Sequence, residues 1–124
     1  MKLQPIALDH IVLRCRDVET TLSWYVDQLG LAPVRLDEWR RREVPFPSVR
    51  CAPESIIDLI PGHSDEGRLE HLCITVEPTD LAALAASGRF EVLEGPVARY
   101  GARGMATSLY VRDPDGTTVE IRHY

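Results

Sequence analysis

The feature that most constrains this chain is that it repeats itself once, at a fixed offset, in an order of elements that only a few folds can hold. Asp9-His10-Ile11 matches Glu70-His71-Leu72, and 71 − 10 = 61. Ile57-Asp58-Leu59 matches Val119-Glu120-Ile121, and 120 − 58 = 62. A near-constant offset that spans strand, helix and hairpin is the mark of an internal duplication. Both halves read β-α-β-β-β. Ala7 to Cys15 is a strand by period-2 alternation, and Asp17 caps a helix that carries Val18, Leu22, Tyr25, Val26 and Leu29 and stops at Gly30. Leu31 to Leu36 is a second strand, Asp37 to Pro47 a long surface connection, and Ser48–Ala52 and Ser55–Ile60 two short strands ended by Pro61-Gly62. The pattern then restarts. Leu69 to Glu77 is a strand, Thr79 or Asp80 caps a helix through Leu81, Leu84 and Ala85, and Gly88 stops it. Arg89 to Leu93 is a short strand, and Glu94 to Arg103 a Gly-rich connection. Ser108–Arg112 and Thr117–Arg122 form the closing hairpin around Asp113-Pro114-Asp115-Gly116.

Alternation then sorts the side chains. In each half the helix must cover one face of its sheet, and the apolar positions belong to that face. Ile11, Leu13, Cys15, Leu72, Ile74 and Val76 fall there, with Leu109, Val111, Val119 and Ile121 of the closing hairpin. His10, Asp58, His71 and Glu120 are left on the other face. If the two sheets curl together, these four line one concavity. Two histidines with one or two carboxylates make a divalent transition-metal site of the kind that leaves coordination positions open for substrate. A lone Glu between β-branched neighbours is ordinarily the solvent face of a strand; the matching residues in the other half argue otherwise.

Composition narrows the partners. The 124 residues suit a single domain, 1–124, built of modules at about 7–62 and 69–124. A net charge of −5 argues against nucleic acid or an anionic membrane surface as partner. No apolar run approaches the roughly 18 residues of a membrane span. The start of the chain lacks a signal-peptide core, and Cys15, Cys51 and Cys73 have no metal-type spacing, so reduced thiols and a cytoplasmic location are expected.

The sequence resembles the vicinal oxygen chelate superfamily, which includes glyoxalase I, bleomycin-resistance proteins, fosfomycin-resistance enzymes and extradiol dioxygenases. The residues that carry the resemblance are Leu8-Asp9-His10-Ile11-Val12-Leu13 with Leu22-Ser23-Trp24-Tyr25 and Leu29-Gly30-Leu31, then Glu70-His71-Leu72, then Gly95-Pro96-Val97 leading to Arg112-Asp113-Pro114-Asp115-Gly116 and Val119-Glu120-Ile121. It implies an α+β fold of two tandem βαβββ modules forming a cupped mixed sheet, with His10, His71 and Glu120 as ligands of a divalent ion (Ni, Zn, Mn, Fe or Co). Asp58 stands where glyoxalase I has a further Glu ligand, and is one methylene shorter. Glu120 and Asp58 are the implied proton handlers. Arg14 stands where glyoxalases hold the glutathione carboxylate, or is an edge arginine facing solvent. Ser108 and Tyr110 stand where fosfomycin-resistance enzymes contact substrate, although the C-terminal extension of those enzymes is lacking. The implied function is a metal-dependent, glyoxalase-like lyase or isomerase acting on a small oxygen-chelating substrate. The alternatives are a metal-free, drug-sequestering module and an iron-dependent dioxygenase. A two-fold homodimer is expected, to complete the cup with a partner sheet. Trp39, Arg40, Arg41 and Arg42 form either a lid that grips an anionic substrate or a solvated loop anchored by the Trp. His63 and His123 read as surface residues, and Cys73 as a buried thiol beside His71.

Overall fold

In the computed structural model, which describes residues 1–62, 67–112 and 116–124, eight strands form one continuous sheet in the order β2-β3-β4-β1-β5-β8-β7-β6. The first half supplies β1 (Pro5–Cys15), α1 (Val18–Leu29), β2 (Ala32–Val34), α2 (Leu36–Arg40), β3 (Ser48–Ala52) and β4 (Ser55–Pro61). The second supplies β5 (Leu69–Val76), α3 (Leu81–Ala86), β6 (Glu91–Gly101), β7 (Gly104–Arg112) and β8 (Thr118–His123). The pairing is duplicated with the sequence. β1 runs parallel to β4 as β5 runs parallel to β8, and an antiparallel β1–β5 pair joins the halves.

Local chemistry sets the elements. Asp17 caps α1 by accepting the Thr20 amide, and Gly30 ends it in the left-handed conformation, φ 74°, where a side chain would be strained. Asp80 rather than Thr79 caps α3, accepting from the Ala83 amide. Each helix closes a small core against its half of the sheet. α1 buries Val18 and Leu22 with Cys15, Val49 and Leu59, and Trp39 packs at that core's edge. α3 buries Leu81 and Leu84 with Val76, Leu109, Val111 and Ile121. Both cores lie on the face the alternation assigned to the helices, so the opposite face is left to the cup.

Three expectations need correction. The second strand stops at Val34, and α2 occupies part of the expected surface connection: Leu36 and Trp39 make one helical turn anchored on the first core. The expected Gly-rich connection is strand instead. β6 runs eleven residues and pairs along β7 from Glu91↔Arg112 to Gly101↔Gly104, absorbing Gly95 at a register shift between Glu94 and Val97. Finally, the two halves meet edge to edge inside one chain through β1 and β5, so no partner sheet is needed to bring His10, His71 and Glu120 together. The Asp113-Pro114-Asp115 turn and His63 lie outside the described residues; the strands flanking that turn, β7 and β8, pair as expected.

Candidate metal centre

Adjacent central strands put the site at the seam between the halves. In β1 and β5, His10 sits opposite Cys73 and Val12 opposite His71; in β5 and β8, Cys73 sits beside Glu120. Nε2 of His10 lies 3.2 Å from Nε2 of His71, and Oε1 of Glu120 lies 3.3 Å and 3.0 Å from these two nitrogens. Three donor atoms from three strands thus form a nearly equilateral triangle.

The backs of these groups are all engaged. Nδ1 of His10 bonds Asp9 at 2.6 Å, and Nδ1 of His71 bonds Glu70. A carboxylate on Nδ1 fixes the tautomer and turns the Nε2 lone pair inward, an arrangement common to metal-bound histidines. Glu120 accepts through Oε2 from the Ser108 hydroxyl at 2.7 Å, while its buried Oε1 has no hydrogen-bond donor. Two imidazole nitrogens and a carboxylate oxygen without a hydrogen-bond partner at this spacing can hold a cation between them. A divalent ion about 2.1 Å from each atom would set them about 3.0 Å apart at right angles and about 3.4 Å apart at the tetrahedral angle. The observed edges of 3.0–3.3 Å lie within that range, so the residues present fit such an ion.

The electrostatics agree. Burial opposes a charge on His10, yet the Asp9 and Glu120 carboxylates outweigh it and raise its pKa to about 9. His71 is raised in the same way, against burial, by Glu120 and Glu70. Burial also resists ionisation of Glu120, but the two histidines and Ser108 hold its carboxyl well below the usual range. The cluster attracts a proton where it would attract a metal ion.

Asp58 stands beside this triangle, not in it. Its Oδ2 is 3.9 Å from His10 Nε2, and its Oδ1 accepts from the Ser48 hydroxyl at 2.5 Å. Burial raises its pKa, with His10 and Ser48 opposing. The opening of the cup, a cavity of about 460 Å³, is lined by the triangle, Asp58, Tyr110, Val12, Ile60, Arg35, Phe46 and Tyr100 among others. Tyr110 stacks edge-on to His71 with centroids 5.6 Å apart, and burial pushes its phenol above the ordinary value.

Other predicted residues lie elsewhere. Arg14 lines a separate hollow with Arg16, Asp17, Gly62 and Arg68, and donates to the carbonyls of Gly67 and Leu69. Ser108 is fully buried behind Glu120, holding its carboxylate rather than facing the cavity. Cys73 is fully buried, and burial drives its thiol pKa far up. Its cluster with Asp9 and His10 offers no second site, because Asp9 is already saturated. Arg40 and Arg41 pair with Glu19 and Glu43 at the surface.

Sequence reasoning missed the foundation. Asp9 is fully buried and accepts from five groups: His10, the Ala102 amide, Thr75, Tyr124 and Arg122. Burial works against its charge, but these donors draw its pKa down to about 2. Arg122 is fully buried too, bonded to the Arg99 carbonyl, Ser108 and Tyr124. It fits because residue 101 is glycine: a Cβ there would fall 1.3 Å from Nη1. The available signal was Arg122 on the same strand face as Glu120, since a charged group at an inward position implies buried partners.

With this geometry in view, comparison with known proteins places the chain. The sequence model of the Glyoxalase/Bleomycin resistance protein/Dioxygenase superfamily matches residues 7–121. The chain is 32% identical to the virulence protein STM3117 of Salmonella typhimurium, across 94% of this chain and 83% of that protein. It is 30% identical to the glyoxalase domain-containing protein RDO1 of Mycosarcoma maydis, across 95% of this chain and 68% of that one. Among solved structures, an Mn(II)-bound glyoxalase from Novosphingobium aromaticivorans shares the fold with a TM-score of 0.75 at 19% identity, over 98% of this chain and 40% of that one.

Proposed function

This chain belongs to the glyoxalase/bleomycin resistance protein/dioxygenase superfamily, and from that premise we propose that it is a divalent-metal-dependent enzyme of the glyoxalase-like lyase or isomerase class. His10, His71 and Glu120 are the metal ligands in this reading. The observation that carries it is the triangle of two locked Nε2 atoms and the partnerless Glu120 Oε1. A divalent ion so held would act as Lewis acid and template for two oxygens of a small substrate. Its identity among Ni, Zn, Mn, Fe and Co is left to measurement; the Mn(II) of the Novosphingobium glyoxalase makes manganese the first to try.

The protein's own groups divide the remaining work. Glu120, held ionised by its neighbours, is a ligand and a poor base. Asp58 is the better proton carrier: burial raises its pKa toward neutrality, the direction general acid–base catalysis needs. Its Oδ1 is fixed by Ser48, leaving Oδ2 to take a proton from substrate and return it. Tyr110, kept neutral, lies on the cavity wall as a hydroxyl donor.

A second reading, a sequestering module, is favoured by the apolar side chains of the cavity, Val12, Ile60, Phe46 and Met105. A dioxygenase would use the same three ligands. A homodimer also belongs to the proposal, supported by exposed Ile6, Leu8 and Leu69, which a second copy would cover. Among the described residues no helix is long and apolar enough to cross a membrane, and the three cysteines are free, which supports a cytoplasmic site of action. The test is metal analysis of protein purified without chelators, with thermal shifts on adding each ion and an activity screen of 2-oxoaldehyde–thiol adducts and catechols. Bound metal with adduct turnover supports the lyase or isomerase; oxygen uptake with catechols would replace it by the dioxygenase. No metal and no shift would leave the sequestering module.

A further inference from the structure

Arg35 is the residue of the cavity wall that the metal chemistry does not use. Among the described residues two arginines line the cup, and the other, Arg99, is paired with Glu94 and with the Ala98 carbonyl. The Arg35 guanidinium lies over the Tyr100 ring, 3.8 Å from its centroid, and faces Phe46 at 4.8 Å. The Tyr100 ring against the guanidinium leaves its hydrogen bonds to be made in its own plane. On that edge Nη2 donates to the Phe46 carbonyl at 3.2 Å, while Nε is buried without any partner. The backbone of Arg35 is left-handed, φ 59°, directly before α2. Gly or Asn would hold that conformation with less strain. An arginine in that conformation, stacked on the wall of a cavity, points to a use for its side chain.

We propose that Arg35 is the anion-binding end of the substrate site, so that the substrate carries a carboxylate at the end remote from its metal-chelating oxygens. The inference rests on the reading of this cup as the substrate site. A planar fork matches a carboxylate through two parallel N–H···O bonds. The cavity favours a single negative charge over a phosphate dianion, because Asp58, Glu70 and Glu120 line the same space. Phe46, Ile60 and Met105 provide room for an apolar body between the two ends.

The test uses the full chain, with and without Mn(II), and three probes: benzoate, its neutral analogue benzamide, and phenyl phosphate. Calorimetry gives affinities, and the Arg Nε–H resonance reports contact at Arg35 directly. Benzoate is expected to bind and shift the Arg35 Nε–H signal, with benzamide at least about tenfold weaker, the loss expected for a charge-assisted bond. Arg35→Asn suits the left-handed backbone and should fold; it should weaken benzoate about tenfold or more while Mn(II) affinity is unchanged. Arg35→Lys, a charge without the fork, should fall between them. Equal binding of benzoate and benzamide to the wild type, or unaltered benzoate binding by Arg35→Asn, would overturn the proposal. Phenyl phosphate binding more tightly than benzoate would overturn its carboxylate assignment. Failure of the wild type to bind Mn(II) would count against the metal enzyme alone, because the benzoate comparison is also made on metal-free protein.

Discussion

The two halves of the molecule offer the same three positions to the site and surround them differently. In the first half, the Asp9 and His10 side chains are 0% and 2% exposed, and five donors converge on Asp9. In the second half, Glu70 and His71 are 33% and 12% exposed, and His71 is the hydrogen-bond partner of Glu70. The carboxylates split the opposite way. Asp58, in the first half, stops 3.9 Å from His10, whereas Glu120, one methylene longer, reaches both histidines. A duplicated fold therefore need not give a symmetric centre. One histidine is a fixed post, the other faces the cavity, and one carboxylate of the pair is released from the triangle for other work.

The widest difference should come from the two carboxylates. Glu120→Ala removes a corner of the triangle and strips Ser108 and Arg122 of a buried acceptor. Metal binding should be lost, and stability should fall by about 3–5 kcal/mol, the cost of breaking a buried ion pair on one side. Asp58→Ala should keep its metal and lose turnover, since it takes away the hydrogen-bond acceptor of Ser48 and only a long 3.9 Å pairing with His10. Metal content and thermal melts on both variants decide it, and equal metal loss would make Asp58 a fourth ligand.

The supporting acids come next. Asp9→Asn should weaken metal binding roughly 10–100-fold, as loss of a group that orients a ligand does. It should also lower the melting temperature, because Arg122 and Tyr124 lose their anion. Glu70→Gln should stay at the low end of that range with little change in melting, because water reaches its partly exposed side chain. Titrating Mn(II) into both proteins compares them; matching losses would mean that burial does not separate the halves.

The sequence showed the skeleton of this comparison better than its asymmetry. Alternation placed His10, Asp58, His71 and Glu120 on one face because a strand's period is independent of its surroundings. The caps at Asp17 and Asp80 were legible for the same reason: they are local. The part of β6 from Glu94 onward reads as a connection because glycine and proline at 95 and 96 look like a break, and only pairing with β7 makes it the continuation of the strand begun at Glu91. Arg35 falls within the expected second strand, Leu31 to Leu36, and no local rule shows that an arginine at its end turns into the cup. Asp9 looked like a neighbour of a histidine; its five donors come from residues as far away as Tyr124. Contacts at that separation exist only after the sheet has closed.

The mildest test leaves every bond in place and changes pH. In metal-free protein the folded state raises the pKa of His10 to about 9 from an ordinary value near 6.5. The folded chain then binds that proton more tightly than the unfolded one. The resulting stability is complete below about pH 6.5 and is lost as pH rises toward 9. Asp9 has the opposite sign: its pKa is lowered to about 2, so its contribution is present above about pH 4 and fades only in strong acid. Between pH 6.5 and 9, therefore, the metal-free melting temperature should fall by several degrees while Asp9 contributes nothing to the slope. Mn(II) affinity should rise over the same window, because the ion and the proton compete for His10 Nε2. His10→Gln should flatten the melting profile and His71→Gln should leave more of it, because His10 is the more deeply buried of the two and is tied to the buried Asp9. A flat wild-type profile, or a slope that disappears with His71→Gln instead, would move the fixed post to the second half and reverse the comparison.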